Sequence, residues 1–239
     1  MTDSTSADQT AGVDHLDDRA ARHAALGDPA RLAIVDELVW SDRAPAELGR
    51  RLGLGSNLLA HHLAVLESAG LVDRSRSSGD GRRRYVHLRH GALADLVPGG
   101  PGSGAGRCPA EPSEVLFVCT HNSARSQLAA VLWTALTGGP AASAGTHPAE
   151  RVHRGAVAAA RRAGADLSGA MPGLLADAPT AGLVVTVCDR AHEELGDREG
   201  WWHWSIADPV PSGTAGAFDA TVHELRERIG AVTTSRRAA

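Results

Sequence analysis

Lysine is absent from this chain of 239 residues, so all 24 fixed cationic side chains are arginines. With so much Ala and Gly, that reads as coding bias rather than a functional choice. Net charge is slight at −4 and excludes neither nucleic acid nor small anions as partners. Cysteine is scarce: three residues, odd in number and widely spaced, cannot make a disulfide framework. In a reducing cytosol they are free thiols, suited to nucleophilic or redox work. No apolar run approaches the ~18 residues of a membrane span. The polar, acidic opening has no apolar leader core. A cytoplasmic protein with no membrane partner is expected. No internal repeat is present.

The chain divides by composition. Residues 1–14 are Ser, Thr, Asp and Gly rich, a disordered tail by composition. Residues 97–113 are dense in Pro, Gly and Ser, a flexible tether between two units at 15–96 and 114–235. In the first unit, "DDRAARHAALGDPARLAIVDELVW" predicts two helices with a break at Gly-Asp-Pro. "APAELGRRLGL" and "SNLLAHHLAVLESAGL" predict two short helices joined by a glycine turn, with Ser56 as N-cap of the second. "LVDRSRSSGDGRRRYVHL" reads as strand, turn, strand. Together these make a winged helix-turn-helix, mainly α with a β-hairpin wing. His87 and His90, at the end of the last strand, are read as surface polar residues, and no metal site is expected.

Three stretches, "ALGDPARLAIVDEL", "LAHHLAVLESAGLV" and the wing, resemble the ArsR-type winged-helix repressors across roughly 20–95. The resemblance implies that the helix from Ser56 to Ser68 enters the major groove of a double-stranded DNA operator. Ser56, Asn57, Leu58, Ala60 and His61 sit early on it, where base edges are reached. Arg74, Arg76, Arg82, Arg83 and Arg84 on the wing would meet phosphates. Such units read two-fold operators, so a homodimer through this domain is implied. A winged helix can also dock proteins. Relatives that sense soft metals carry thiols on the helix before the turn. Here that helix, "RAPAELGRRL", has none, and soft-metal sensing needs thiolates.

The second unit alternates strands and helices. "VLFVC" and "GLVVTVC" suit strands buried on both faces, and three later segments have helical period. A parallel sheet with helices on both faces follows, a three-layer α/β domain. Ligands bind beyond the carboxyl ends of such strands, where Cys119 falls. Between Cys119 and the next helix the chain must turn. A tight loop of Thr120, His121, Asn122, Ser123 and Ala124 can point its N–H groups inward as an oxyanion nest. The helix start adds its positive end, and Arg125 can clamp two oxygens with its planar fork. The same field favours thiolate over thiol, and Ser126 can donate to the sulfur. Cys119-x5-Arg125-Ser126 is therefore a thiolate nucleophile inside a cradle for a tetrahedral anion.

"VLFVCTHNSARSQLA", "SAGTHPAERVHRGAVAAARRAGADLSG" and "VVTVCDRAHEE…HWSIADP" resemble the low-molecular-weight protein tyrosine phosphatase fold, and more closely the arsenate reductases built on it. Gln127 stands where the phosphatases usually have proline. The resemblance implies an arsenate or phosphate-like oxyanion in the cradle, Cys119 as attacking thiolate, Asp208 as proton donor and Cys188 as resolving thiol. No tightly bound cofactor is implied. An external thiol reductant, a thioredoxin-type protein or a low-molecular-weight thiol, would be required. Three-cysteine reductases carry another thiol soon after Cys188, and "DRAHEELGDREGWWHW" has none. Cys108 reads as a bystander on the tether. Trp201, Trp202 and Trp204 read as packing over the sheet edge or as a lid. His147, His153 and His203 read as surface or packing residues. Three functions stay open: an arsenate reductase fused to a repressor, a tyrosine phosphatase, or a regulator whose second unit only senses oxyanion or redox state.

Overall fold

The Gly-Asp-Pro break is a helix start built from local chemistry. In the computed structural model, which describes residues 5–94, 96 and 114–237, α1 (Thr5–Leu26) gives way there to α2 (Pro29–Leu38). The Asp28 carboxylate accepts from the N–H groups of Ala30 (2.9 Å) and Arg31 (3.1 Å), and Pro29 occupies the first turn. Helix α1 takes in most of the stretch 1–14 expected to be a disordered tail. No proline precedes residue 29, so nothing in the sequence blocks the helix from growing backwards. The expected tether 97–113, with Cys108, lies outside the described residues.

Helix α3 (Pro45–Leu52) ends at Gly53, whose φ of 65° closes the turn into α4 (Ser56–Ser68). Gly55 holds the cap position and Ser56 is the first helical residue, one place later than the expected cap. Strands β1 (Val72–Arg76) and β2 (Arg84–Leu88) form the antiparallel wing, followed by α5 (His90–Ala94). Ile34, Leu38, Leu48, Leu63 and Leu66 fill the core between them.

The second unit runs β3 (Val115–Cys119), α6 (Arg125–Thr137), β4 (Ala141–Gly145), α7 (Arg154–Arg162), β5 (Leu183–Thr186), α8 (Asp189–Leu195), β6 (Trp202–His203) and α9 (Ala215–Arg237). The sheet is parallel, in the order β4-β3-β5-β6. Successive β3 side chains alternate faces. Phe117 packs with Trp133, Trp204 and Phe218 on one face, while Leu116 and Val118 pack with Ala144 and Leu195 on the other. The chain leaves β3 for one neighbour and returns to the other, so the end of β3 is the sheet's switch point. Cys119 stands there.

The two units are docked through a polar interface. Trp40 stacks on Trp202 with ring centroids 5.4 Å apart, and Trp204 Nε1 donates to the carbonyl of Trp40 at 3.0 Å. The wing tip rests on α8: Ser77 Oγ donates to Glu193 (2.6 Å), and the amides of Ser78 and Asp80 donate to Asp189 (2.7 Å) and Glu193 (2.6 Å). Gly79 permits this approach, since a Cβ there would lie 2.7 Å from the Arg190 Cα. Asp42 is buried and pairs with Arg228 of α9 at 2.9 Å and with His87 at 3.0 Å. His87 is therefore part of the interface rather than a surface residue. His203, read as surface or packing, is fully buried and stacks on His192 at 4.1 Å.

Two histidines of this interface respond to pH with opposite signs. Burial lowers the His87 value, but the Asp42 carboxylate outweighs it and holds the imidazole above its ordinary range. Its stabilisation is full below about 6.5 and is lost as pH rises through that raised value. Burial, reinforced by Arg228, pushes His90 down to about 4. Between about 6.5 and 4 the unfolded chain then binds the extra proton, so stability falls as the solution is acidified. His90→Gln is expected to remove about 2 kcal/mol of that acid-side loss, read by urea unfolding at pH 7 and pH 4.5.

Candidate active site

The loop after β3 owes its shape to the segment that follows β4. Carbonyls of Cys119, Thr120, His121 and Ser123 accept from the amides of Thr146 (3.1 Å), His147 (2.8 Å), Ala149 (2.9 Å) and His153 (2.8 Å). With the carbonyls drawn outward, successive N–H groups face the other way, the arrangement of an anion nest. The first-turn amides of α6 add donors with no intrahelical acceptor. Gly145 makes the stitching possible. A Cβ there would sit 2.8 Å from the Thr120 carbonyl oxygen and 3.0 Å from the Asn122 Cβ. Gly145→Ala is expected to displace the loop by a few tenths of an ångström and lower kcat about tenfold, with a small change in Tm.

Cys119 sits at the centre, 3% exposed. Its Sγ accepts from the Asn122 N–H at 3.2 Å and lies 3.0 Å from Ser126 Oγ. Asn122 is the one non-glycine residue at positive φ (47°) among the described residues. Its amide holds that conformation. Nδ2 donates to Ser126 Oγ (2.8 Å) and Ser143 Oγ (2.9 Å), while Oδ1 accepts from Gln127 Nε2 (3.0 Å) and the Gly173 N–H (2.8 Å). Gln127 thus braces the loop, a role that proline at the same position could not take. Because Nδ2 donates to Ser126, the Ser126 hydroxyl hydrogen is left to point at the sulfur.

Arg125 is buried and reaches the 206–208 segment. Nη1 donates to the Ile206 carbonyl (3.1 Å) and Nη2 to Asp208 Oδ2 (2.9 Å). Asp208 Oδ1 accepts from the Val210 amide at 3.1 Å, which orients the carboxylate. Cys188, two residues beyond the end of β5, is fully buried. Thr120 Oγ1 lies 3.3 Å from its Sγ, and the Ala191 amide donates to it at 3.4 Å. Burial pushes the Cys188 thiol up, Arg125 pulls it down, and the neighbouring Cys119 sulfur raises it again. The sheet thus brings Cys119, Cys188, Arg125, Ser126 and Asp208 to one edge. Among the described residues no cluster of His, Cys, Asp or Glu could hold a metal ion. No helix among them is long and apolar enough to cross a membrane.

The residues named for DNA lie on another surface. Ser56, Asn57, Leu58, Ala60 and His61 are exposed along the start of α4. Arg76, Arg82, Arg83 and Arg84 are exposed on the wing, while Arg74 is engaged by Glu67 at 2.7 Å. His121 points outward, its Nδ1 3.1 Å from the His147 carbonyl. Sequence reasoning missed the interface residues Trp40, Ser41, Asp42, Tyr85 and Glu193 altogether.

Comparison with known proteins finds two family models and several solved structures. A family model described as a helix-turn-helix domain matches residues 26–75. A model described as low molecular weight phosphotyrosine protein phosphatase matches residues 114–237. Among solved structures, an arsenate reductase from Archaeoglobus fulgidus is 28% identical, with 52% of this chain and 98% of that chain covered and a TM-score of 0.44. A YwlE mutant from Bacillus subtilis is 19% identical over 52% of this chain and 98% of that one, with a TM-score of 0.45. A thioredoxin-dependent arsenate reductase from Corynebacterium glutamicum is 24% identical over 53% and 65%, with a TM-score of 0.41. No curated protein matches the chain. With just over half its length matched and its cysteine, arginine and aspartate gathered at one sheet edge, the chain belongs to the low molecular weight phosphotyrosine protein phosphatase family and carries a helix-turn-helix domain ahead of it.

Proposed function

We propose that the second unit is an arsenate reductase and that the first is an ArsR-like repressor domain acting as a homodimer on a DNA operator. The observation that carries the enzymatic reading is the pair of sulfurs. A hydrolytic phosphatase needs one cysteine, yet here a second thiol is kept at the neighbouring strand end. It is joined to the cradle through Thr120 and close enough for the Cys119 sulfur to perturb its ionisation.

Arsenate would sit on the amides of residues 120–126 with Arg125 swung onto two of its oxygens. Cys119 attacks arsenic, and an oxygen leaves as water with a proton from Asp208. A thiolate then attacks the sulfur of Cys119. The S–As bond breaks, its electron pair stays on arsenic, and arsenite departs as a disulfide forms. Cys188 is the attacking thiol in this reading. Once Cys119 is bonded to arsenic its sulfur no longer bears a thiolate charge, so one of the causes holding Cys188 protonated lifts. With no third thiol nearby in sequence, an external thiol reductant, of thioredoxin type or low molecular weight, opens the disulfide. Incubation with arsenate and each class of reductant, assayed for arsenite, tests this. Mass spectrometry after one turnover is expected to show a Cys119–Cys188 bridge. Absence of arsenite with every reductant would count against the assignment.

A further inference from the structure

The 203–208 segment carries Asp208 and the carbonyl that holds Arg125, yet it belongs to no long element: β6 is two residues. Its own unit holds the start of the segment, where the Trp204 amide donates to the Thr186 carbonyl at 2.8 Å and His203 Nε2 lies 3.2 Å from Asp189, and the other unit adds three further bonds. The Asp42 amide donates to the His203 carbonyl at 2.7 Å, and the His203 amide donates to Ser41 Oγ at 2.8 Å. The Ser205 amide donates to Asp42 Oδ2 at 2.6 Å. One residue on from Ser205 is the Ile206 carbonyl that accepts from Arg125, and two further on is Asp208. Asp42 is itself immobilised, 1% exposed and held by both Nη atoms of Arg228 (3.0 and 2.9 Å) and by His87 (3.0 Å). A cleft of about 720 Å³ between the units runs past Ser75, Arg76 and Arg228 to Ala207 and Asp208.

We propose that Asp42, from the helix-turn-helix unit, is a positioning residue for the segment that carries Asp208, so that the two units together make one active site. The proposal rests on the reading of Asp208 as proton donor. A donor held in register protonates the leaving group as its bond breaks, which matters greatly for a poor leaving group and little for a good one. Removing the anchor is therefore felt selectively, whereas general loosening of the fold slows all substrates alike.

The test uses the full chain, with phenyl phosphate as the poor and 2,4-dinitrophenyl phosphate as the good leaving-group substrate. Asp42→Asn is expected to lower kcat on the first about tenfold and on the second less than about threefold. In an Asp208→Asn background it is expected to add nothing, because both changes act through one group. Equal losses on both substrates, or additive losses in the double variant, would overturn the proposal while leaving the acid reading intact. An Asp208→Asn variant indifferent to leaving group would overturn both. Amide hydrogen exchange gives a reading independent of turnover: Ser205 should exchange at least about tenfold faster in Asp42→Asn while the β3 and β4 amides do not change. An unchanged Ser205 rate rejects the proposal whatever the kinetics. Should Asp42→Asn fail to fold, Ser41→Ala removes the adjacent bond to the His203 amide and leaves the Asp42–Arg228 pair whole. It is expected to act in the same direction more weakly, and no effect on leaving-group dependence or exchange there rejects the proposal.

Discussion

Cys119→Ser is expected to abolish arsenate reduction and aryl phosphate hydrolysis together, by about 10⁴-fold or more. Cys188→Ser is expected to abolish arsenate reduction to a similar degree and to leave aryl phosphate hydrolysis within about threefold. The split follows from where electrons go. Both reactions begin with attack by the Cys119 sulfur, whose lone pair is aimed into the nest by the Asn122 amide and the Ser126 hydroxyl. A serine hydroxyl at that position is a far weaker nucleophile than the sulfur. After attack the paths part. A phosphoryl group leaves by water, which needs no second thiol. Arsenic leaves with two electrons, which a sulfur must supply. In the proposed reading Cys188 is that sulfur, and strand pairing favours this: Val118 and Thr186 are the last register partners of β3 and β5, with Cys119 one residue and Cys188 two residues beyond them. Parallel time courses with arsenate and an aryl phosphate decide the matter. If Cys188→Ser reduces arsenate at the parent rate with a small thiol as donor, the resolving role passes from Cys188 to that thiol.

The thiol–arginine cradle was legible because it is local. Five consecutive residues between a strand and a helix can only turn, and turning there makes a nest. The paired sulfurs were legible from topology, since parallel strands share a carboxyl edge. The strand β4 was not. "AASAG" has neither β-branched residues nor alternation, and it is a strand because β3 supplies its partners and the loop needs a residue without a Cβ at Gly145. Strand β6 was hidden by its length. The interface was hidden for a deeper reason. Periodicity shows that a face is buried, not what buries it, and Ser41, Asp42, Tyr85 and His203 are polar enough to pass for surface. Their burial is tolerated only because each finds a partner in the other unit, and that pairing has no signature along the chain. A glycine-rich tether suggested units that move apart, whereas the described contacts hold them together.

Docking of the wing tip on α8 sharpens what the remaining arginines can do. Ser77, Ser78 and Asp80 are spent on Asp189 and Glu193, but Arg82, Arg83 and Arg84 stay exposed just beyond them. Simultaneous Arg82→Ala, Arg83→Ala and Arg84→Ala is expected to weaken binding to a duplex of arbitrary sequence. Each phosphate contact contributes about 0.9 to the slope of log affinity against log salt, so three contacts lower its magnitude by about 3. The same relation puts the affinity loss at about 10³-fold in 50 mM salt and about 10²-fold in 200 mM, vanishing toward 1 M. Asn57→Ala and His61→Ala, exposed at the start of α4, should leave that slope unchanged and alter only discrimination between duplex sequences. Anisotropy titrations across a salt series measure both quantities. A triple variant with the parent slope would mean that these three wing arginines do not lie on phosphate. The expected loss is uniform across sequences because phosphates carry no code, and it leaves unfolding stability untouched because none of the three arginines is tied down in the fold.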